Sequence, residues 1–340
     1  MKKEYESWAK EVLESQLEKK SEEWAKKHLN TLLQAAVDLE LWTIPYYMSA
    51  MYSIKDRNSP AYQLIRTIIN QEMLHLQCAA NIANSYGLSP TVTPPNYEKN
   101  RIPHLNMHFN PSASTEPYTN HDFRIGPLDL PRINGMCLVE LPDFGTTSIE
   151  LILESLIGEY GSIGAFYSAL RFAALVSKDK IKGGIRQVDS FSAFYRNMPN
   201  MVISEPGNIG FEQVGLLIDL ITDQGEGQCK KDPIVPLVFQ NTADDTDPGD
   251  DHFEKFNTIK NENTLPDTFS VKDPSEYTIE DKQLEENLVV QFKALTQCLE
   301  DLFSGENPEN FFPVMASVGG AIRNCWEHGV TPVFSKTNQL

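Results

Sequence analysis

Cysteine is scarce in this chain and nowhere paired. Cys78, Cys137, Cys229, Cys298 and Cys325 are odd in number and widely spaced, with no Cys-x-x-Cys among them. That pattern is expected of free thiols in a reducing compartment, most of them filling core. Positive charge is also short, with 29 Lys and Arg against 47 Asp and Glu and a formal net charge of −18. A phosphate backbone or an anionic bilayer repels such a surface, which excludes generic nucleic-acid and membrane-surface binding. Long apolar runs are missing too: no stretch of about 18 apolar residues offers a membrane span. The opening MKKEYESWAKEVLESQLEKK has no apolar segment of the kind a secretory leader needs. A cytoplasmic protein is expected from these absences.

What remains is the composition of an ordinary globular chain, 41% hydrophobic and 22% charged over 340 residues. A chain of this size buries a large core without covalent staples. Residues 1–28 read as a charge-rich helical arm, with Trp8, Leu13, Leu17 and Trp24 at loosely helical spacing. A strongly apolar helix is expected over Leu29–Ile54, and a second over Ala61–Tyr86 ending at a Gly87 cap. The short polar loop KDRNSP between them makes an antiparallel hairpin. Residues 88–147 hold nine prolines and little helical period, and read as a long crossover, with GMCLVELP (135–142) as a short strand. A third helix is expected over 148–176 and a fourth over 211–223. An acidic, proline-containing insertion (225–251) follows, and helical pattern resumes at His252. Residues 261–340 add a helical extension whose last pair of helices spans 279–303 and 308–328. Two long helices, a long crossover and two more helices are the connectivity of a ferritin-like bundle. The expected fold is therefore mainly α: a ferritin-like four-helix bundle over 29–260 with an appended C-terminal helical hairpin.

Three of these helices carry an acid in the middle of an apolar stripe. On the first the stripe is Leu33, Val37, Glu40, Ile44, Tyr47, Met51, all apolar but Glu40. A buried unpaired carboxylate costs several kcal/mol (about 3–5 where a partner is removed) unless something neutralises it. On the second, Ile65, Ile68, Glu72, His75, Ala79, Ile82 contains a Glu-x-x-His on the apolar face. On the third, Ile152, Leu156, Glu159, Ile163, Phe166 repeats the interruption. A single such acid is more often the partner of a buried arginine, and Glu-x-x-His alone is common by chance. Three interruptions at matching depth, one of them Glu-x-x-His, point to a metal held between helices, and carboxylate with imidazole suits iron or manganese. The fourth helix has no second Glu-x-x-His; the nearest candidates are Glu226 before the insertion and His252 after it. Tyr46, Tyr47, Phe166 and Tyr167 are either core or pocket lining. His104, His108 and His121 fall in the crossover, which is suited to covering a pocket. Pro45, five residues after Glu40, removes one helical amide and favours a kink.

The stretches LELWTIPYYMSAMYSI, EMLHLQCAANIANSYGLSP, GSIGAFYSAL, DQGEG and HFEKF resemble the ferritin-like domain of the iminophenyl-pyruvate dimer synthases. That family includes enzymes of violacein- and rebeccamycin-type bisindole pathways and many stand-alone relatives. The resemblance covers about residues 29–260 and implies a ferritin-like bundle with a metal or oxidative function. Glu40, Glu72 and His75 match the family motif directly, and Glu226 and His252 match its later part. The chain departs from the pattern at Ala165, where relatives often carry an acid or amide, which leaves Glu159 as the third-helix candidate. The expectation is a metal-dependent oxidoreductase, with two irons (or manganese) on Glu40, Glu72, His75, Glu159, Glu226 and His252. Its expected partners are a small organic substrate, such as an amino-acid-derived imine, and a second copy of the chain or a pathway enzyme. The other reading is a non-catalytic ferritin-like metal-binding protein or partner subunit.

Overall fold

The computed structural model describes residues 2–106, 118–142, 160–191, 195, 201–226, 249–262 and 264–336; residues 2–18 and 226 are described as helix only. Among the described residues the regular structure is helical, with isolated bridges at Ile54–Thr268 and Leu105–Tyr160 in place of strands. None of the described helices is long and apolar enough to cross a membrane.

The first helix, α1, runs unbroken over Lys2–Ser53 and stays helical through Pro45. The charge-rich arm and the apolar helix expected after it are thus one element, about 78 Å long at 1.5 Å per residue. Helix α2 (Pro60–Ser85) starts where its signals stand: Ser59 accepts from the Tyr62 amide and Pro60 fills the first position. It ends in a Schellman arrangement, with the amides of Leu88 and Gly87 donating to the carbonyls of Ala83 and Asn84. Gly87 has φ +85°, the left-handed conformation that this cap requires.

The segment expected to be a strand at 135–142 is instead the end of helix α3 (Leu130–Val139). A continuous apolar run has no period that separates a buried strand from a buried helix. Here Asp129 decides it, its side chain accepting from the Arg132 amide, with Pro131 in the first turn. Helix α4 (Ile163–Val176) begins at Ser162, whose hydroxyl accepts from the Ala165 amide. Residues 160–162 are not helical, so the single helix expected over 148–176 is broken there; residues 143–159 lie outside the described residues. Helix α5 (Gly207–Glu226) and helix α6 (His252–Asn261) follow.

Contacts with the first hairpin set the order of these pieces. The Leu128 amide donates to the Ser53 hydroxyl, Tyr47 meets Glu140, and Tyr167 meets Glu40. Rising numbers from 128 to 167 thus meet falling numbers on α1, so α3 and α4 are successive pieces of one bundle helix antiparallel to α1. In the same way Gln224 meets His75 and His252 meets Gln71, which makes α5 and α6 successive pieces of the fourth. Helix α1 packs on α2 and α4, and α5 packs on α2 and α4 to close the bundle. Beyond the breaks α3 packs on α6, and α6 also packs on α2. The third and fourth bundle helices are both interrupted at one level.

The last two helices, α7 (Ile279–Phe303) and α8 (Phe311–Glu327), form the appended hairpin, close to the expected ranges. Helix α8 is seated on the end of α1. The Arg323 guanidinium donates to the carbonyls of Tyr52, Ile54 and Lys55, and a cation there suits the negative end of the helix dipole. Fully buried Trp326 donates its indole N–H to the Ser49 carbonyl at 2.9 Å. Trp326→Ala is expected to cost about 3–5 kcal/mol of unfolding free energy in urea titrations, because it opens a cavity and removes that bond. A loss below about 1 kcal/mol would mean that the hairpin contributes little to holding α1.

Candidate metal centre

At the level of the two breaks, five ionisable side chains from four elements meet. Glu40 comes from α1, Glu72 and His75 from successive turns of α2, Glu140 from the C-cap of α3, and His252 from the first position of α6. Each is 3% exposed or less. His75 Nδ1 stands 3.7 Å from Glu40 Oε2 and 3.7 Å from Glu72 Oε1. His252 Nδ1 stands 2.9 Å from Glu72 Oε1 and 3.7 Å from Glu140 Oε2. Glu72 is therefore central, with one histidine and one further carboxylate on each side of it. The two imidazoles are stacked with centroids 5.3 Å apart.

Each carboxylate is steered by a hydroxyl. Tyr167 donates to Glu40, Tyr47 donates to Glu140 at 2.6 Å, and Thr43 donates to Glu72 Oε2 at 2.6 Å. The outer nitrogens of the histidines face amides, His75 Nε2 lying 2.8 Å from Gln224 Oε1 and His252 Nε2 3.0 Å from Gln71 Oε1. Gly225 matters for the same reason: a Cβ there would fall 3.0 Å from Glu140 Oε2.

The electrostatics are those of a site short of positive charge. Burial, and next the charge of Glu72, push the Glu40 carboxyl well above its ordinary range. Burial alone would lower His252, but the close carboxylates of Glu140 and Glu72 outweigh it and bring its pKa up to about 9. Burial would raise Glu72, yet its approach to His252 and His75 and their charge hold it well below the ordinary carboxylate value. Tyr47 and Tyr167 are pushed far up by burial and by Glu140 and Glu40 respectively, so both stay protonated and act as donors.

These residues fit a metal. His252 Nδ1 is buried and, although 2.9 Å from Glu72 Oε1, lacks the alignment of a hydrogen bond, so it is left without a hydrogen-bond partner. One oxygen or nitrogen each of Glu72, His75 and His252 lies within 4.8 Å of the others. Two ligand atoms about 2.1 Å from one ion are separated by about 3 Å when they subtend a right angle, the spacing that Glu72 and His252 already have. Cations between these carboxylates would neutralise a cluster that otherwise has to hold protons.

Of the residues singled out in the sequence, Glu40, Glu72, His75 and His252 are brought together. Glu159 and the Glu226 side chain lie outside the described residues, as does His108. His104 stands 3.4 Å from Asp38 near the surface, and His121 bonds the Tyr118 carbonyl, so neither reaches the cluster. Tyr46, Tyr47, Phe166 and Tyr167 are all core, two of them with hydroxyls on the carboxylates. Glu140 was missed because it closes the segment misread as a strand. The signal was present: Ile133, Met136 and Glu140 form another apolar helical stripe interrupted by an acid, behind an Asp129 cap. Gln71 and Gln224 carried no signal at all.

A sequence model described as Ferritin-like matches residues 33–261. That segment begins inside α1, ends with α6 and takes in all five members of the cluster. The crystal structure, at 1.95 Å resolution, of a ferritin-like protein from Caulobacter vibrioides is similar to this chain, with a TM-score of 0.78 and 34% sequence identity. The likeness covers 91% of this chain and 98% of that one, and so reaches beyond the bundle. No curated protein matches.

Proposed function

This chain belongs to the ferritin-like family, and from that premise we propose that it is a metal-dependent oxidoreductase of the di-iron type acting on a small organic substrate. The observation that carries this reading is the division of the cluster into two halves about Glu72. Glu40 and His75 lie to one side and Glu140 and His252 to the other, each histidine within 4 Å of the shared carboxylate. Metal held here would draw on Glu40 and His75, on Glu140 and His252, and on Glu72 between them, which are all the described acids and imidazoles of the cluster. Two irons, or two manganese ions, held there would supply one-electron redox and oxygen-activation chemistry.

The chain's own residues prepare such a site in identifiable ways. Tyr167, Tyr47 and Thr43 each donate to a carboxylate, fixing which oxygen faces inward and holding the ligands in place before any ion arrives. Burial of all five members excludes bulk water and strengthens each of these contacts. Residues 141–142 after Glu140 and 249–251 before His252 are not helical, so irregular backbone adjoins the cluster where an unbroken four-helix bundle presents only side chains. The substrate class follows from the resemblance to the iminophenyl-pyruvate dimer synthases: an aryl-pyruvate imine or a related amino-acid derivative.

The test is an anaerobic Fe(II) titration followed by exposure to O2. A new near-ultraviolet or visible absorption band is expected, together with oxygen consumption that an aryl-pyruvate imine accelerates. Uptake of iron with neither band nor oxygen consumption would replace this reading with that of a non-catalytic metal-binding protein.

A further inference from the structure

Each imidazole of the cluster turns one nitrogen to the carboxylates and the other to a glutamine. His75 Nε2 meets Gln224 Oε1 at 2.8 Å, and His252 Nε2 meets Gln71 Oε1 at 3.0 Å. All four residues are buried, none more than 3% exposed. An amide oxygen only accepts, so an imidazole nitrogen facing it must carry the hydrogen, and Nδ1 is then the nitrogen that gives up any second proton and offers its lone pair to an ion. Nδ1 is the atom that faces Glu40 and Glu72 in one half and Glu72 and Glu140 in the other. With either glutamine turned to present its NH2 instead, the hydrogen would move to Nδ1 and the ring could not bind an ion from that side.

The bonds also cross the break in the fourth bundle helix. Gln224 lies near the end of α5 and is bonded to α2 through His75. His252 opens α6 and is bonded to α2 through Gln71. The two bonds tie the helix piece before residues 227–251 and the piece after them to adjacent turns of α2.

We propose that Gln71 and Gln224 are positioning residues that lock both imidazoles as Nε2–H tautomers and so join the two pieces of the broken helix into one metal site. The inference rests on the metal-site reading above. A glutamine suits this task because it holds the proton in place without adding another negative charge to a cluster that already contains three carboxylates. Outer partners of metal-bound histidines are commonly worth about 10–100-fold in metal affinity.

The test uses the full chain and Co(II) in competition with a chelator, read by absorption, for the unmodified protein and for Gln224→Leu, Gln71→Leu, Gln224→Glu and Gln71→Glu. Each leucine variant is expected to weaken one of two binding events by about 10–100-fold, Gln224→Leu and Gln71→Leu affecting different events. Each glutamate variant, which can still accept from Nε2–H, is expected to restore the loss. Leucine variants that bind as tightly as the unmodified protein would overturn the lock, and so would a loss that glutamate does not restore, since that is what a packing role gives. Failure of the unmodified protein to take up Co(II) would instead remove the metal site itself. Nitrogen-15 NMR of the unmodified, zinc-loaded protein tests the tautomer without any variant. Two slowly exchanging Nε2–H signals are expected, and zinc on Nε2 of either ring would overturn the proposal.

Discussion

Glu72→Gln is expected to abolish binding of both metal ions, whereas Glu140→Gln and Glu40→Gln each abolish binding of about one. The difference comes from position. Glu72 Oε1 lies 3.7 Å from His75 Nδ1 and 2.9 Å from His252 Nδ1, so the one carboxylate serves both halves. Of the two histidines, Glu140 approaches His252 and Glu40 approaches His75. Glutamine keeps the length of the side chain and an oxygen for the Thr43 hydroxyl, so little packing changes. The metal-free variant stays folded, because His252 can give up its proton instead of remaining a buried cation with fewer partners. Inductively coupled plasma mass spectrometry on the three variants, with circular dichroism as a check on folding, reads the result directly. Equal losses in all three would contradict the division about Glu72.

The second large effect is a dependence on pH whose sign differs from that of a protein stabilised by paired carboxylates. In the metal-free protein the His252 pKa is raised from 6.5 to about 9 by Glu140 and Glu72. Its contribution to stability is therefore fully present below pH 6.5 and is lost as pH rises through 9, a change of order 3 kcal/mol. The raised Glu40 carboxyl acts in the same direction above the ordinary carboxylate range, since the folded state holds a proton that the unfolded state has lost. Metal has the opposite requirement: it must displace the His252 proton, so its affinity rises about tenfold per pH unit in this window for each proton released. The rise in unfolding temperature on adding saturating Mn(II) is expected to grow from pH 6.5 to 8.5, while the unfolding temperature of the metal-free protein falls. A metal-linked shift that shrinks over that range would contradict the proton displacement.

Much of this centre is legible in the sequence, and the boundary of legibility has physical causes. Glu40, Glu72 and His75 stand out because they interrupt uniformly apolar stripes on long helices, a local pattern that needs no knowledge of the fold. His252 could be placed only by supposing an interrupted fourth helix, and residues 249–251 just before it are not helical. Glu140 has the same local pattern, yet Gly135 and Pro142 beside it suggest a strand, and ten residues of helix are too few for the period to speak clearly. Gln71 and Gln224 are different in kind. A glutamine on a helix is unremarked in any sequence, and their bonds join residues 181 and 149 positions apart. The continuity of α1 back to Lys2 escaped for the opposite reason, since a charged stretch with loose periodicity resembles a separate arm.

The broken third and fourth helices give these observations a common cause. In an unbroken bundle the inward positions of each helix follow one period, and a second Glu-x-x-His belongs on the fourth helix. Here Glu140 ends one piece and His252 begins another, so the candidate ligands on this side are set by caps and not by period. Asp251 caps α6 through a reciprocal box with Glu254, which fixes where His252 enters the cluster.

Metal content, measured by mass spectrometry on the full chain purified without chelators and then reconstituted anaerobically with Fe(II), tests the central claim most directly. The arrangement of Glu40, Glu72, His75, Glu140 and His252 predicts about two ions per chain. A chain that takes up no metal under these conditions would contradict it, and the five buried side chains would then be a proton-sharing network of the core.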